Sequence, residues 1–326
     1  MNIREVARIA GVSTATVSRV LNQTGPVRAE TRERVLAIVE QQNFRPNLLS
    51  QKLRRAETGM LLVLVSSIAN PFCAITLRGI ENEAERRGYH ILLCNSESDP
   101  ERELTYLRLL RGKVVDGVIT MDAVSRTSAM KKEIGDLPWV QCGEFEEGAA
   151  PYVSIDNYTA AKAVVAHLVS TGRQRIGLIS AKGEYMYSTE RERGYRDGLA
   201  EAGMTFSRVA YAEGVTDFNE GATAFAELQA HERKCDAIFA ISDMLACGAM
   251  NAASRGGVRI PYELAVVGFD DLPYAEITSP RLTTIRQPMF ELGSACARIL
   301  IERLAGESSE GKSVLLPWTL IQREST

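Results

Sequence analysis

The chain has 326 residues, 45% hydrophobic and 24% charged, with a formal net charge of −3 at pH 7. That length exceeds one ordinary core and predicts two or three domains with ample apolar material to bury. No apolar run of about 18 residues occurs, and Met1 starts directly on a charged amphipathic segment, so neither a membrane span nor a secretory leader is expected, and the location expected is cytoplasmic.

Six cysteines (Cys73, Cys94, Cys142, Cys235, Cys247 and Cys296) are scattered without a CxxC pair, and His90, His167 and His231 are equally dispersed. They read as small buried thiols in a reducing compartment, with no zinc site and no cofactor expected. The charge is unevenly spread. Residues 1–55 hold ten Lys/Arg against four Asp/Glu, whereas the remainder holds 28 against 37. A basic head on an acidic body suits a phosphate-binding module, although a solvated charged surface reads the same way.

In chain order, Ile3, Val6, Ala7 and Ala10 recur at i, i+3, i+4 and i+7, one apolar stripe on a helix of about two turns. Gly11 supplies a turn and Val12 fills the gap. Ser13 is placed to cap a second helix by accepting from the amide of Thr16. Val17, Val20 and Leu21 then face inward, leaving Thr14, Ala15, Ser18 and Arg19 outward. A polar, small outer face suits insertion in the DNA major groove, where Arg19 matches guanine O6 and N7 and the Ala15 methyl matches a thymine methyl. A third helix, starting near Glu30 or Thr31 and packing through Val35, Ile38 and Val39, completes a small core. After the turn Asn43–Asn47, the basic stretch Leu48–Arg55 has helical potential. Its leucines, Leu53 included, either pack on the head or order only on DNA, wedging between minor-groove base steps.

From Met60 onward, apolar runs alternate with amphipathic helical stretches. Leu61–Val65, His90–Cys94 and Asp116–Thr120 read as buried strands, separated by helices over Phe72–Gly88 and Glu101–Gly112; Arg175–Ser180, Asp236–Ile241 and Leu264–Phe269 repeat the rhythm after Asp156. Two sets of strand–helix units predict two parallel-sheet lobes with a ligand cleft beyond the carboxyl ends of their strands.

The segment IREVARIAGVSTATVSRVLN resembles the helix-turn-helix signature of the LacI/GalR family of bacterial repressors, and ETRERVLAIVEQQNFRPNLLSQKLR is similar to that family's third helix and hinge helix. Asn70-Pro71-Phe72, Val153–Asn157, Gly172–Gly177, Arg191–Tyr195, Ser242-Asp243, Val267–Asp271 and Leu282–Pro288 extend the resemblance over essentially the whole chain. It implies an all-α helix-turn-helix head (1–45), a hinge helix and linker (46–58), and an α/β two-lobed, type I periplasmic-binding-protein-like sensor domain (59–326). The implied first lobe covers about 60–157 and 288–316, the second about 158–287 and 317–326.

For the DNA-binding set, the resemblance implies Ser13, Thr14, Ala15, Thr16, Ser18, Arg19 and Asn22 around the reading helix. Thr14 and Ala15 set operator preference, Arg19 reads a base, Asn47 lies near the minor groove, and Leu53 intercalates. For the effector it implies a shell of Phe72, Glu144, Tyr187, Arg191, Thr216, Asp243 and Asp270. An Arg with a carboxylate gives directional bonds, and Phe72 gives a stacking face. Phe72 also reads as a core residue, and Asp243 as a helix cap. The partners implied are an operator DNA duplex, a second copy of the chain in a homodimer, and a small effector. Around Cys142–Phe145 and Tyr185–Arg191 the chain departs from purine- and lactose-responsive members. STATVSRVLN, the hinge and Glu144-Phe145 are nearest to a nucleoside-responsive one, with a monosaccharide or sugar phosphate as the alternative effector. Three other readings are a plain solute-binding protein, a regulator answering to a phosphocarrier protein, and an enzyme. The last lacks a Gly-rich phosphate loop, a Ser/His/Asp grouping and metal-ligand spacing.

Overall fold

The computed structural model describes residues 3–22, 25–42, 58–108, 114–121, 123, 127–182, 185–212, 217–307 and 313–326. The expected hinge segment with Asn47 and Leu53, and the pocket candidate Thr216, lie outside these residues, as does the side chain of Asn22. The chain forms two compact units, Met1–Thr58 and Gly59–Thr326.

In the first unit, α1 (Ile3–Ala10), α2 (Thr14–Asn22) and α3 (Ala29–Gln41) pack around Val6, Ala7, Ala10, Val17, Val20 and Val35. Gly11 makes the turn between α1 and α2 with φ of 64°, a left-handed conformation that glycine adopts without steric cost. Val12, Leu21, Ile38 and Val39 cover the edges of this core, as their spacing predicts. The third helix opens at Ala29, slightly ahead of the expected start.

The second unit contains two six-stranded sheets. The first has the order β11-β5-β4-β3-β1-β2 and is built from β1 (Met60–Val65), β2 (His90–Asn95), β3 (Gly117–Met121), β4 (Trp139–Cys142), β5 (Tyr152–Ile155) and β11 (Val314–Leu316). Every pairing in it is parallel. Along β1, Leu61, Val63 and Val65 enter one core while Leu62 and Leu64 enter another, the alternation expected of a strand covered on both faces. α4 (Pro71–Arg86), α5 (Pro100–Arg108), α6 (Thr127–Ile134) and α12 (Met289–Leu304) accompany this sheet. The run His90–Cys94 is not a buried strand as expected. It forms β2 at the sheet edge, with Leu92 and Leu93 each 38% exposed. An apolar run marks a strand; its place in the sheet is decided by the crossovers.

The second sheet has the order β12-β10-β9-β8-β6-β7, from β6 (Ile176–Ala181), β7 (Arg208–Ala212), β8 (Ala237–Ala240), β9 (Ala265–Asp270), β10 (Thr283–Arg286) and β12 (Thr319–Ile321). Among the described residues only the β10–β12 pairing is antiparallel. α7 (Asn157–Ser170), α8 (Met186–Glu201), α9 (Phe218–Gln229) and α10 (Asp243–Arg255) contribute side chains to its core, and the short α11 (Tyr274–Ile277) follows β9. The chain passes between the sheets three times: after β5, after β10, and between β11 and β12. Five of the six cysteines are buried, and all are free thiols. No helix among the described residues is long and apolar enough to cross a membrane.

Candidate functional site

In the head, the side chain of Ser13 caps α2: its Oγ accepts from the amide of Thr16 at 3.1 Å and lies 2.9 Å from the Thr16 hydroxyl. With Val17 and Val20 buried, Ser13, Thr14, Ala15 and Arg19 are exposed, while Thr16 and Ser18 are half-buried. The capped helix thereby presents small polar groups and one guanidinium on its outer face. That is the chemistry a groove reader needs.

In the second unit, a cleft forms where the carboxyl ends of strands from both sheets meet the crossing segments. It is lined by Asn70, Phe72, Gly143 and Ser154 from the first sheet's side, and by Tyr187, Arg191, Ile241, Ser242 and Asp270 from the second. Asn157 and Gln287, on two of the crossing segments, complete the wall. The side chains leave about 40 Å³ between them, far below the few hundred Å³ of a typical small-molecule site.

Phe72 lies in the first turn of α4, whose Pro71 occupies the opening position and whose Asn70 side chain accepts from the Phe72 amide at 3.0 Å. It is 7% exposed and belongs both to the first core and to the cleft wall. Arg191, on α8, is the centre of the wall. It is 5% exposed, its Nε donates to Asn157 Oδ1 at 2.9 Å, and its Nη1 donates to the carbonyl of Ile241 at 2.5 Å. The guanidinium lies 3.5 Å from the centre of the Phe269 ring and 5.0 Å from that of Tyr187. Two aromatic faces thus compensate part of the cost of burying the charge. Asp270 approaches it, with Oδ1 4.0 Å from Arg191 Nη1, and that same oxygen accepts from Gln287 Nε2 at 2.6 Å.

Asp270 ends β9 with φ of 118°, and Asp271 follows at 61°. Two adjacent non-glycine residues in this region hold backbone strain of about 1–3 kcal/mol each. Polar contacts hold the turn: Arg286 and Arg323 pair with Asp271 at 2.5 and 2.7 Å, and the Asp271 amide donates to Thr284 Oγ1 at 3.3 Å.

Asp243 does not line the cleft. It lies behind the wall at 0% exposure, its Oδ1 accepting from Thr284 Oγ1 at 2.6 Å and its Oδ2 from the Leu272 amide at 2.7 Å. Nor is it the cap of α10, because Ser242 fills that position and accepts from the Leu245 amide at 3.3 Å. Burial pushes the Asp243 carboxyl well above the usual carboxylate range, the negative Asp270 adds to the shift, and the two hydrogen bonds oppose it. Glu144, half-buried, reaches across to α8: its carboxylate accepts from the amides of Met186 at 2.6 Å and Tyr187 at 3.3 Å.

The structure therefore gathers Phe72, Tyr187, Arg191 and Asp270 around one cleft, sets Glu144 against the helix that carries two of them, and keeps Asp243 behind. Asn70, Ser154, Asn157 and Gln287 were not singled out from the sequence. Their available signal is position: Ser154, Asn157 and Gln287 lie within two residues of a strand's carboxyl end, and Asn70 caps the helix that follows β1. Among the described residues no cluster of His, Cys, Asp or Glu is arranged to hold a metal ion.

Residues 2–47 match the family described as bacterial regulatory proteins, lacI family, and residues 165–326 match the periplasmic binding protein-like domain. The chain is 35% identical to the ribose operon repressor of Halalkalibacterium halodurans over 324 residues, covering 99% of this chain and 96% of that protein. It is 33% identical over 326 residues to the transcriptional repressor CytR of Escherichia coli, again with 99% and 96% coverage. Among solved structures, the Lac repressor dimer bound to operator and the anti-inducer ONPF superposes with a TM-score of 0.89 at 26% identity, covering 100% of this chain and 98% of that one.

Proposed function

Because this chain belongs to the lacI family of bacterial regulatory proteins and is a DNA-binding transcriptional regulator, we propose that it is a repressor that binds a palindromic operator as a homodimer and is switched by a small metabolite in the cleft around Arg191. The observation that carries the DNA half is the division of α2 into a buried face, Val17 and Val20, and an exposed one, Thr14, Ala15 and Arg19. In this reading the head comprises residues 1–45. Thr14 and Ala15 choose the operator, Arg19 holds a guanine edge, and Thr16, Ser18 and Asn22 flank them. Residues 46–58 form the hinge, where Leu53 wedges open the operator centre beside Asn47. One short head offers few base contacts, so two copies reading two half-sites supply the specificity a gene-level switch requires. The exposed Leu92 and Leu93 on the edge strand β2 favour association through that side of the unit.

The effector in this reading is a nucleoside. Phe72 and Tyr187 offer aromatic faces for a base, while Arg191, Asp270, Asn157 and Gln287 offer paired donors and acceptors for hydroxyls. A free monosaccharide is the second reading, favoured by the 35% identity to a ribose operon repressor. With about 40 Å³ between the cleft side chains, either ligand requires the two lobes to part before it enters, which links occupancy to lobe angle.

The test is selection of operator sequences from a random duplex pool with the full chain, followed by titration of the selected duplex complex with cytidine, adenosine and ribose. Enrichment of an inverted repeat and a change in DNA affinity with one of the three are the expected results. A pool without an enriched repeat would overturn the operator reading. An enriched repeat whose affinity neither cytidine nor adenosine alters would overturn the nucleoside reading, and a response to ribose alone would establish the second.

A further inference from the structure

The first turn of α8 is served by a residue from the other lobe. Helices α4, α7, α9 and α10 of this unit carry their own side-chain caps, from Asn70, Asp156, Asp217 and Ser242. α8 does not: Tyr185 at its N-cap position makes no side-chain cap bond, and its first turn contains no acidic residue. Instead the Glu144 carboxylate, which follows β4 of the first sheet, accepts from the amides of Met186 and Tyr187. A carboxylate at this position satisfies amides that have no partner within the helix and meets the positive end of its dipole.

The support under Glu144 is stiff. Gln141 donates to the carbonyls of Glu146 at 3.2 Å and Ala150 at 3.0 Å and accepts from the Glu146 amide at 3.0 Å. Ser154 Oγ donates to the Gly143 carbonyl at 2.9 Å, and Phe145 stacks on Tyr152 with ring centres 3.6 Å apart. The carboxylate is thus held on a pinned turn of one lobe and bonded to the end of a helix in the other. That helix carries Tyr187 and Arg191 of the cleft wall.

We infer that Glu144 is an interlobe latch: it lends α8 its missing cap only when the lobes are closed, and so positions Tyr187 and Arg191 at closure and sets how long an occupant stays. This deepens the reading of the cleft as an effector site, while the latch itself exists whether or not that reading holds. Parting the lobes returns two amides and a carboxylate to water, where they are hydrated. The bonds therefore contribute to the closed state alone, as a latch must. Glu144 acts through α8 and is a positioning residue.

The test uses the full chain in three forms: Glu144→Ala, Glu144→Gln, and Glu144→Ala with Tyr185→Asp, which supplies α8 with a cap of its own. Hydrogen exchange over residues 185–190 and small-angle scattering are measured without added ligand, and cytidine and ribose dissociation rates by stopped flow. Glu144→Ala is expected to speed exchange of the Met186 and Tyr187 amides about tenfold or more, the scale of one charge-assisted hydrogen bond. It is also expected to raise the radius of gyration and to accelerate both association and dissociation of whichever probe binds, because entry and exit alike require the lobes to part. Glu144→Gln lies between. In the double variant the exchange protection returns while the larger radius and fast dissociation persist, which separates latching from mere capping. Unchanged exchange in Glu144→Ala, or full recovery of the closed radius in the double variant, overturns the inference. If neither probe binds the wild type, the effector reading fails and the exchange and scattering arms still decide the latch.

Discussion

Replacing Asp243 by asparagine should remove a specific pH dependence of stability. The carboxyl has 0% exposure, and burial first, then the neighbouring negative charge of Asp270, push it well above the usual carboxylate range. In the unfolded chain the same group titrates at about 3.9. Above that pH the native state binds more protons than the unfolded state at this site, so stability falls as pH rises and stops falling once Asp243 ionises in the native protein. One proton bounds the slope at about 1.4 kcal/mol per pH unit. Asparagine preserves the shape: its carbonyl accepts from the Leu272 amide, and its amide donates to Thr284 Oγ1, a hydroxyl that also accepts from the Asp271 amide. Urea denaturation of wild type and Asp243→Asn from pH 4 to 9, with m values compared at each pH, gives the difference curve. The variant should be close to wild type at the acid end and gain on it steadily with pH. A flat difference, or a wild type that gains on the variant as pH rises, would refute a raised carboxyl and show instead that the Thr284 and Leu272 bonds hold it ionised.

Three further outcomes follow from single contacts. Ser13→Ala removes the bond to the Thr16 amide and should cost the head about 1 kcal/mol, read as faster hydrogen exchange confined to α1–α3. Arg323→Ala removes ion pairs to Asp271 at 2.7 Å and Glu276 at 3.3 Å and a bond to the Leu282 carbonyl at 2.9 Å. From a side chain only 9% exposed, the loss should be about 3 kcal/mol by urea titration, the scale of breaking a buried pair. Arg191→Met keeps bulk but leaves Asn157 Oδ1 and the Ile241 carbonyl without this donor. Calorimetric titration with the active nucleoside or sugar should show affinity lower by about 10- to 100-fold, one charge-assisted bond's worth.

The parts of the molecule that were readable beforehand are those governed by local periodicity and local chemistry. The stripe of Val6, Ala7 and Ala10, the cap at Ser13 and the inward Val17 and Val20 are all present because a two-turn helix has only one way to bury such a pattern. The strands at β1, β6, β8 and β9 likewise follow from short apolar runs between helices. What the pattern does not contain is sheet order, so β2 was expected in the interior and lies at the edge. It also carries no long-range pairing. Asp270 was legible as a residue ending a buried strand. Asp243 next to a cap position gave no sign that it turns inward to Thr284, 41 residues away, and Glu144 gave none that its carboxylate reaches a helix 42 residues ahead. Asn157 and Gln287 fall within quoted stretches of the resemblance, but nothing local in Val153–Asn157 or Leu282–Pro288 shows that their side chains meet Arg191 and Asp270.

The polar groups that line the cleft are also tied to the segments that cross between its walls. Arg191 is tied to Asn157 at the start of one crossing and Asp270 to Gln287 at the start of another. A ligand that accepts from Arg191 or donates to Asp270 competes with those ties, and one that displaces them acts on the crossings. Its power to switch is the difference between its affinities for the parted and the closed arrangement, nothing more. A ligand spanning both walls adds bonds that exist only in the closed state and pulls toward it. Glu144, bonded to the first turn of α8, biases the starting point of that equilibrium.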